Sequence, residues 1–366
     1  MAGSAAPIQR THRLRASAAT LGAVARPLRP AGAGGVLLLV VALAALTIGA
    51  ADIPAGTVLK MLLDKLPFVD TGTVVPDTWD RIVFEIRLPR IVAAAAVGAA
   101  LAYSGAAYQG VFRNPLAGPF LLGIASGAGL GAAIAIVSPL AINSYGFGWV
   151  PVFAFVGALI AVSLAYFLAR SGSGGGVSTT TLILAGVALS AIFSAITSFI
   201  LLSGGEQTRP IFSFLFGGFN TANWPRILAG LPYLIVGGLG VALHARVLNV
   251  LQLDDEQAAQ LGVRITRTKL IILASASLVA ATAVAMAGII GFVGLIVPHA
   301  VRLVFGVDYR RLLLVSIFGG ASFVILADII SRTLLDPQEI PVGIVTAIVG
   351  GPFFLYLLAS RRVDHA

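Results

Sequence analysis

Residues 270–298 decide the fold class, and they read LIILASASLVAATAVAMAGIIGFVGLIVP without a single charged side chain. A membrane-spanning α-helix needs about 20 predominantly apolar residues, so this stretch is too long for one untilted crossing. Division around Ala287 and Gly288 predicts two consecutive spans, near residues 270–286 and 289–306. This part of the chain is therefore predicted to cross a membrane twice.

The composition of the whole chain agrees with a membrane protein. Of its 366 residues, 58% are hydrophobic and only 11% are charged, and the mean hydropathy is +0.98. Soluble globular domains carry about 25% charged residues, so this chain is predicted to be an all-α integral membrane protein. The absence of cysteine excludes disulfides, thiolate metal sites and cysteine nucleophiles.

Eight further apolar runs complete the set of predicted spans. The first, residues 36–50, precedes many other spans, which favours a membrane helix over a signal peptide. The others lie near residues 91–112, 117–137, 149–169, 180–203, 227–245, 311–330 and 341–360. The total is ten spans, and residues 52–86 are predicted to form a polar loop outside the membrane.

The distribution of charge predicts the orientation, because ten spans place both termini on one side. With residues 1–35 as a disordered basic cytoplasmic tail, the cytoplasmic side carries 16 of the 24 basic residues and five acidic residues. The outer side then carries eight basic and ten acidic residues. Since basic residues concentrate in cytoplasmic loops, both termini are predicted to be cytoplasmic. The positive net charge is thus attributed to topology and not to nucleic-acid binding.

A faint repeat indicates two related halves. Three residues recur at an offset of 183 positions, and these are Gly105, Pro115 and Ala117 in one half and Gly288, Pro298 and Ala300 in the other. An odd number of spans in each half gives the halves opposite orientations, as in many transporters. The predicted architecture is therefore ten transmembrane helices in two inverted five-helix halves.

One long hydrophilic interruption occurs in the second half, at residues 249–269, which read NVLQLDDEQAAQLGVRITRTK. Asp254, Asp255 and Glu256 suit the first turn of a short helix, where carboxylates favour the positive helix end. Gly262 then supplies a left-handed C-terminal stop. A helix of about two turns is unstable alone in water and must pack on something. It either lies on the cytoplasmic face of its own protein or docks a soluble partner.

Groups for catalysis or ion coupling are scarce within the predicted spans. No two of the four histidines have the spacing of metal ligands, and His299 is interpreted as a structural histidine. Ion-coupled carriers usually bury an acid at mid-membrane, and none is predicted there. Asp328 lies near an outer helix end, at the i,i+4 spacing that favours an ion pair with Arg332. An intramembrane enzyme is disfavoured, and an ion-coupled secondary transporter remains the alternative.

The chain also lacks the loop that binds ATP in P-loop enzymes. That loop requires a lysine preceded by glycine, and the only lysines, Lys60, Lys65 and Lys269, follow other residues. If ATP drives transport, the ATPase is therefore a separate polypeptide. The short helix after Asp254 is where such an ATPase is expected to act.

Several ordered stretches resemble the permease subunits of type II ABC importers for iron–siderophore complexes, haem and cobalamin. The longest is RLPRIVAAAAVGAALAYSGAAYQGVFRNPLAGPFLLGIASGAG at residues 87–129. The others are LILAGVALS at 182–190, LNVLQLDDEQAAQLGV at 248–263, GIIGFVGLIVPHAVRL at 288–303 and LADIISRTLLDPQEIPVGIVTAIVGGPFFLYLL at 326–358. The resemblance extends over residues 40–360.

The resemblance implies a function and a set of partners. It implies a homodimer of ten-span subunits, each with one permease domain over residues 36–362, that imports a chelate by alternating access. Two cytoplasmic P-loop ATPase subunits would bind ATP and Mg, and an external protein would deliver the substrate. This chain would hold no cofactor and perform no covalent chemistry. The implied location is a bacterial or archaeal cell membrane.

The resemblance also implies roles for individual residues. Within a cytoplasmic coupling region, 248–264, the residues that would receive ATPase motion are Leu251, Asp254, Asp255, Glu256, Gln257, Leu261 and Gly262. The outer-face arginines that would bind carboxylates of the binding protein are Arg87, Arg90 and Arg332. For the first two, snorkelling to the membrane interface is the alternative. The cytoplasmic gates would lie at Asn114, Leu116, Thr179 and Thr180.

Overall fold

The structure, a computed structural model, describes residues 28–49, 51–67, 69–139, 148–171 and 178–360. The part of the predicted tail at residues 1–27 lies outside these ranges. Within them the fold is helical, and the only β-type pairing is an isolated bridge between Leu335 and Gln338. The all-α prediction is confirmed for the described residues.

Fourteen helices form within these ranges, with short 3₁₀ turns at Pro119–Leu122 and Gly205–Gln207. The helices are α1 Leu28–Thr47, α2 Ala55–Asp64, α3 Asp77–Phe112, α4 Ile124–Val137, α5 Trp149–Ser171, α6 Thr179–Ser203, α7 Thr208–Phe216, α8 Trp224–Leu243, α9 Ala245–Val250, α10 Asp255–Gln260, α11 Ile265–Ala287, α12 Val293–Phe305, α13 Tyr309–Thr333 and α14 Val342–Ser360. Seven of them, α1, α3, α5, α6, α8, α11 and α13, are apolar and long enough to cross a membrane. The apolar helices α4, α12 and α14 are shorter. Each of the ten predicted spans therefore contains one apolar helix.

Two predicted boundaries are wrong. α1 begins at Leu28, so residues 28–35 are helical and do not belong to a disordered tail. Residues 52–86 are not a loop, because they contain α2 and the first ten residues of α3. α3 follows Pro76 and passes through a π-helical turn at Ile82–Arg87. The first ten residues of α3 are a mixture of polar and apolar types, so the pattern of apolar runs does not predict them as helix. A helix that extends beyond the membrane needs no apolar run there.

The sequence repeat does not mark equivalent structural positions. Gly105 lies inside α3, seven residues before its end at Phe112, whereas Gly288 caps the end of α11 with φ +73. The spacing match is therefore coincidental. The elements that do resemble each other are α3 and α11, since each is followed by an interruption of the α-helix and then by a short apolar helix, α4 or α12.

Helices α3 and α11 form the centre of the bundle. In the most apolar 18 residues of each helix, 78% of the residues of α3 and 72% of those of α11 are buried, against 17–28% in α1, α5, α6 and α8. The peripheral helices expose leucine, isoleucine, valine and phenylalanine side chains, which suits contact with hydrocarbon. α3 is rich in alanine and glycine, and such small residues let neighbouring helices approach closely.

Replacement of Gly105 by alanine is expected to destabilise the packing of α3 on α12. A Cβ at this position would lie 1.9 Å from the carbonyl oxygen of Gly294, and backbone atoms cannot move aside as a flexible side chain can. Overpacking costs about 1–3 kcal/mol, which would lower the thermal unfolding temperature of the solubilised protein. Gly238→Ala, where no described atom lies within 4 Å of the added methyl, is the matched control. Equal unfolding temperatures for the two variants would contradict the close contact.

Candidate coupling and translocation sites

The predicted short helix forms and ends at a glycine. α10 spans Asp255–Gln260, Asp254 is its N-cap residue in an extended conformation, and Gly262 has φ +82. The N–H of Val263 then donates to the carbonyl of Ala258 at 3.2 Å. Glycine adopts this left-handed conformation without steric cost. The predicted helix and its glycine stop are confirmed.

Helix α10 is attached to the end of α3 that carries Arg113, which we call the Arg113 end. Leu251 and Ala258 are fully buried, and the side chain of Gln252 donates to the carbonyl of Gly110 at 3.1 Å. Arg113 donates through Nε to the carbonyl of Leu251. These contacts supply the packing that so short a helix needs.

Asp255 fixes α10 through two ion pairs. Its carboxylate contacts Arg113, and it accepts from Lys269 Nζ at 3.0 Å. Partial burial by itself raises the pKa of the Asp255 carboxyl, but the hydrogen bonds and charges of Lys269 and Arg113 outweigh it and lower the pKa. The carboxylate therefore stays ionised at neutral pH, and both pairs persist.

The opposite face of α10 is open to solvent. Asp254, Glu256, Gln257 and Gly262 are exposed, and Leu261 exposes 64% of its surface. A large apolar side chain that lies among charged neighbours on a water-exposed segment is suited to burial against another protein.

One member of the predicted coupling set belongs instead to the interior of the fold. Leu251 is 0% exposed, so no partner can reach it in this conformation. The side chain of Asp255 is 52% exposed, but it forms ion pairs with two cations and holds α10 in place. The exposed members of the set that form no ion pair with another described residue are Asp254, Glu256, Gln257, Leu261 and Gly262.

A turn around Pro115 follows α3 directly. Arg113 has φ +49, and the side-chain oxygen of Asn114 accepts from the N–H of Leu116 at 2.9 Å. The N–H of Ala117 donates to the carbonyl of Asn114 at 3.0 Å. An asparagine that bonds the backbone two residues ahead forms an Asx turn, which reverses the chain without help from a helix.

This turn lines one wall of a cavity with a volume of about 420 Å³. A second wall is the segment between α11 and α12, where Gly291 faces open space and Phe292 has φ +65. The third wall is α6, through Val187 and Ser190. Irregular backbone at membrane depth is tolerated where it is buried or lines a cavity, so two interrupted helices around one cavity are typical of a transport route.

The predicted gate residues lie at different distances from this cavity. Leu116 lines it, and Asn114 shapes the same turn. Thr179 and Thr180 are the first two residues of α6, and Thr180 precedes Val187 by seven residues, or about 10 Å along the helix. The two threonines therefore lie about two turns away along one cavity wall.

A buried polar link connects the coupling region to the cavity. Gln109, 1% exposed, accepts from Arg302 Nη2 at 2.8 Å and donates to the carbonyl of Leu295 at 3.3 Å. Leu295 lines the cavity, and the neighbouring Gly110 accepts from Gln252 of the coupling region. No sequence motif marks the pair of Gln109 and Arg302, because 193 residues separate them.

The predicted docking arginines are internal at the opposite end of the bundle, which we call the Arg90 end. Arg90 is 9% exposed and forms paired hydrogen bonds with Asp328, from 2.9 Å, and with Glu339, from 2.8 Å. Arg332 donates to the carbonyl of Ala45 at 2.6 Å and lies 3.8 Å from Asp328. The predicted pair of Asp328 and Arg332 is confirmed, although Arg90 is the closer partner.

Arg87 is also internal, and the reason is the early start of α3. It is 4% exposed and donates to the carbonyls of Leu46 at 2.6 Å and Ala51 at 2.5 Å, next to the end of α1. Because α3 begins at Asp77, Arg87 and Arg90 lie about three turns inside the helix. Snorkelling is therefore wrong for both side chains, and neither is free to bind an external carboxylate in this conformation.

The polar groups of this arrangement are engaged in structural pairs. Within the ranges that the structure describes, no group of three or more His, Cys, Asp or Glu could hold a metal ion. The exposed face of α10, the link through Gln109 and the cavity therefore form the candidate functional site.

Sequence relatives of the chain are transport proteins. The cobalamin import system permease protein BtuC of Halobacterium salinarum is 43% identical over 371 residues, which cover 93% of this chain and 98% of that protein. The hemin transport system permease protein HmuU of Yersinia pestis is 40% identical over 306 residues, covering 81% of this chain and 88% of that protein.

A solved structure has the same fold. It is described as a metal-chelate type ABC transporter in an inward-facing conformation, and it matches with a TM-score of 0.75 and 32% sequence identity over 90% of this chain and 98% of that one. Residues 37–360, which contain the coupling region, the cavity and the Arg90 end, match the FecCD transport family. This chain is therefore a member of the FecCD transport family.

Proposed function

We propose that this chain is the permease subunit of an ATP-driven importer that carries an iron–siderophore, haem or cobalamin-type chelate into the cytoplasm. The observation that carries the proposal is the connection from the exposed face of α10, through Gln109, to a cavity between two interrupted helices. The substrate class follows from the relatives, which are described as acting on cobalamin, hemin and metal chelates.

We further propose ten crossings, in two oppositely oriented halves, with both termini in the cytoplasm. The 14 residues of α4 span about 21 Å, less than the hydrocarbon thickness of about 30 Å. The interruption before α4, and the one before α12, would cover the remaining depth where they line the cavity. The Arg113 end also carries Arg264, Arg267 and Lys269, which supports a cytoplasmic location.

A homodimer is proposed because one cavity is too small for the substrate. Ligand pockets of about 300–1,000 Å³ hold drug-sized molecules, and corrinoids and siderophore complexes are larger than these. The cavity of this chain measures about 420 Å³ and is bounded on one side by α6, most of whose side chains are not buried. Two copies that face each other across α6 would enclose a wider route between them.

Transport then requires only a change in the relative stability of two conformations. Two separate P-loop ATPase subunits would bind ATP and Mg and would contact Asp254, Glu256 and Leu261. Their closure would displace α10, and the displacement would reach the cavity wall through Gln109. Access to the cavity would alternate between the two sides, and this chain would make and break no covalent bond.

Delivery by an external binding protein is also proposed, with a revised role for the arginines. The carboxylate of Glu339 is 44% exposed, so the pair between Arg90 and Glu339 is the accessible part of the network at the Arg90 end. A carboxylate of the binding protein would have to replace Glu339 on Arg90, because the other partners of these arginines are the buried Asp328 and main-chain carbonyls that are buried or half-buried beside α1.

Accessibility at Leu116 tests the alternating cavity. The chain has no cysteine, so Leu116→Cys introduces a unique thiol. With its ATPase bound, we expect the rate of labelling by a cytoplasmic maleimide to differ severalfold between the nucleotide-free and ATP-bound states. Arg310→Cys, exposed at the Arg113 end and outside the cavity, should label equally in both states. Identical behaviour of the two thiols would contradict a cavity that alternates.

Loss of the Gln109 link should separate ATP hydrolysis from import. Gln109→Leu removes the shorter of two hydrogen bonds that Arg302 donates, at 2.8 Å to Gln109 and 3.4 Å to Tyr309. Hydrogen bonds to charged groups contribute about 1.5–3 kcal/mol, so import per ATP should fall roughly tenfold or more. Tyr103→Phe is the control, because it removes another buried hydrogen bond of α3, to the carbonyl of Gly238. Equal import per ATP in the two variants would refute the link.

A further inference from the structure

The largest of the described cavities is not used by the transport account. Its volume is about 610 Å³, within the range of about 300–1,000 Å³ found for ligand sites. It lies at the Arg90 end between the starts of α5 and α8, helix α7 and the end of α11. Its polar lining groups are Gln207, Ser213, Asn220, Thr221, Asn223 and Arg226, and no acidic residue is among its described lining residues.

Among the described residues of this lining, Arg226 is the only charged one, and none of the others neutralises its charge. Its Nη1 donates to Thr221 Oγ1 at 2.6 Å, while its buried Nε has no hydrogen-bond partner among the residues that the structure describes. Among the described residues no carboxylate lies within ion-pair distance of its guanidinium. The nearest acid along the chain, Glu206, is exposed and outside the lining. A partly buried cation without a counter-charge favours the binding of an anion.

A second, apolar cavity continues from the first at Arg226. It has a volume of about 210 Å³ and is shared between α5, α8 and α11. Gly230 and Tyr233 lie about 6 and 10 Å beyond Arg226 along α8 and line this groove. Phe155 of α5 forms its other side, with its ring centroid 5.0 Å from that of Tyr233. The two cavities together match a ligand with an anionic head and an apolar tail.

The position of two tryptophans places the meeting point of the two cavities, at Arg226, at the surface of a bilayer. Trp149 and Trp224 begin α5 and α8, and their side chains are 48% and 38% exposed. Tryptophan is enriched at membrane–water interfaces, so the polar cavity lies at the level of the lipid headgroups. The groove then extends toward the hydrocarbon, where Tyr233 is 48% exposed.

We propose that this compartment binds one anionic phospholipid. Its phosphate would contact the guanidinium of Arg226, which is suited to bidentate bonding of phosphate oxygens, and the amides of Asn220 and Asn223. One acyl chain would occupy the groove between Phe155 and Tyr233. Such a lipid would hold α5 against α8 and α11, and its binding requires neither the ATPase nor transport.

Fluorescence of Trp149, which lines the polar cavity, reports on this lipid. The chain has three tryptophans, so the variant Trp79→Phe/Trp224→Phe leaves Trp149 as the single reporter. The full chain would be placed in vesicles of ordinary phosphatidylcholine to which one brominated lipid is added. The added lipid would be either brominated phosphatidylglycerol, which is anionic, or brominated phosphatidylcholine, which carries no net charge. We expect brominated phosphatidylglycerol to quench Trp149 at a roughly fivefold lower mole fraction than brominated phosphatidylcholine does. This is roughly the gain in binding that one basic residue contributes at an anionic surface.

Further substitutions in the Trp79→Phe/Trp224→Phe chain test whether Arg226 causes the preference for the anionic lipid. Arg226→Gln should abolish this preference, and Arg226→Lys, which keeps the charge, should retain most of it. Arg209→Gln removes an exposed arginine of α7 outside the lining and should leave it unchanged. Equal quenching by both lipids, or a preference that survives Arg226→Gln or disappears with Arg209→Gln, would overturn the proposal. Displacement of the lipid by an equal concentration of inorganic phosphate would also overturn it, since the site would then bind a free anion.

Discussion

Replacement of Asp328 by alanine is expected to lower the free energy of unfolding by about 3–5 kcal/mol, because it leaves buried cations without their counter-charge. Asp328 is 1% exposed and pairs with Arg90 at 2.9 Å and Arg332 at 3.8 Å. In the variant, Arg90 keeps only Glu339, whose side chain is partly hydrated. Domain stabilities are about 5–15 kcal/mol, so this change is a large fraction of the total.

An exposed ion pair of the same region provides the control for this prediction. Asp80 lies 3.6 Å from Lys65, with side chains 48% and 60% exposed, and such surface pairs contribute about 0–1 kcal/mol. Thermal unfolding in detergent should therefore occur at a much lower temperature for Asp328→Ala than for Asp80→Ala. Unfolding of the two variants at the same temperature would show that the network at the Arg90 end does not stabilise the fold.

Replacement of Leu261 by aspartate is expected to weaken binding of the ATPase subunit roughly 30-fold or more, the effect of losing an interface hot spot. Leu261 is 64% exposed beside α10, whereas the rest of that segment is held by Arg113 and Lys269. A carboxylate in place of an apolar side chain would be buried unpaired in the interface. ATP-driven uptake should fall with the affinity.

The matched control is Val307→Asp, which alters an exposed apolar residue of the Arg113 end outside α10. Both substitutions are at exposed positions, so neither should change the unfolding temperature of the permease alone. The dissociation constant between the purified permease and the ATPase is measured for both variants. It should rise for Leu261→Asp and stay unchanged for Val307→Asp. If Leu261→Asp binds the ATPase as tightly as Val307→Asp, the coupling role of α10 is wrong.

Features encoded in consecutive residues could be predicted from the sequence. The uncharged stretch at 270–298 contains a break, and the structure has it at Gly288 with φ +73. The acidic turn and glycine stop of α10 were also predictable, because carboxylates and glycine act on the backbone beside them. The turn after Arg113 is of the same kind, since asparagine and proline set it locally.

Features that depend on distant residues could not be predicted in this way. Arg90 and Asp328 are 238 residues apart in sequence, and nothing local shows that they meet. The burial of Leu251 likewise depends on the position of α3. Glycines spaced by three in GIIGFVG indicate close packing, yet Gly294 contacts the backbone of α3 whereas a methyl added at Gly291 would have no described atom within 4 Å. A spacing pattern cannot separate these two environments, because it contains no information on the neighbouring helix.

The most direct test of the account is uptake by reconstituted protein. The chain would be purified in mild detergent with whatever binds to it, and placed in vesicles with or without that partner. Uptake of cobalamin, haem and an iron–siderophore complex would then be measured with ATP or with an ion gradient. We predict that a P-loop ATPase co-purifies in stoichiometric amount and that uptake requires both this ATPase and ATP. Purification of the chain alone, with uptake driven by an ion gradient, would contradict the account and establish a secondary transporter.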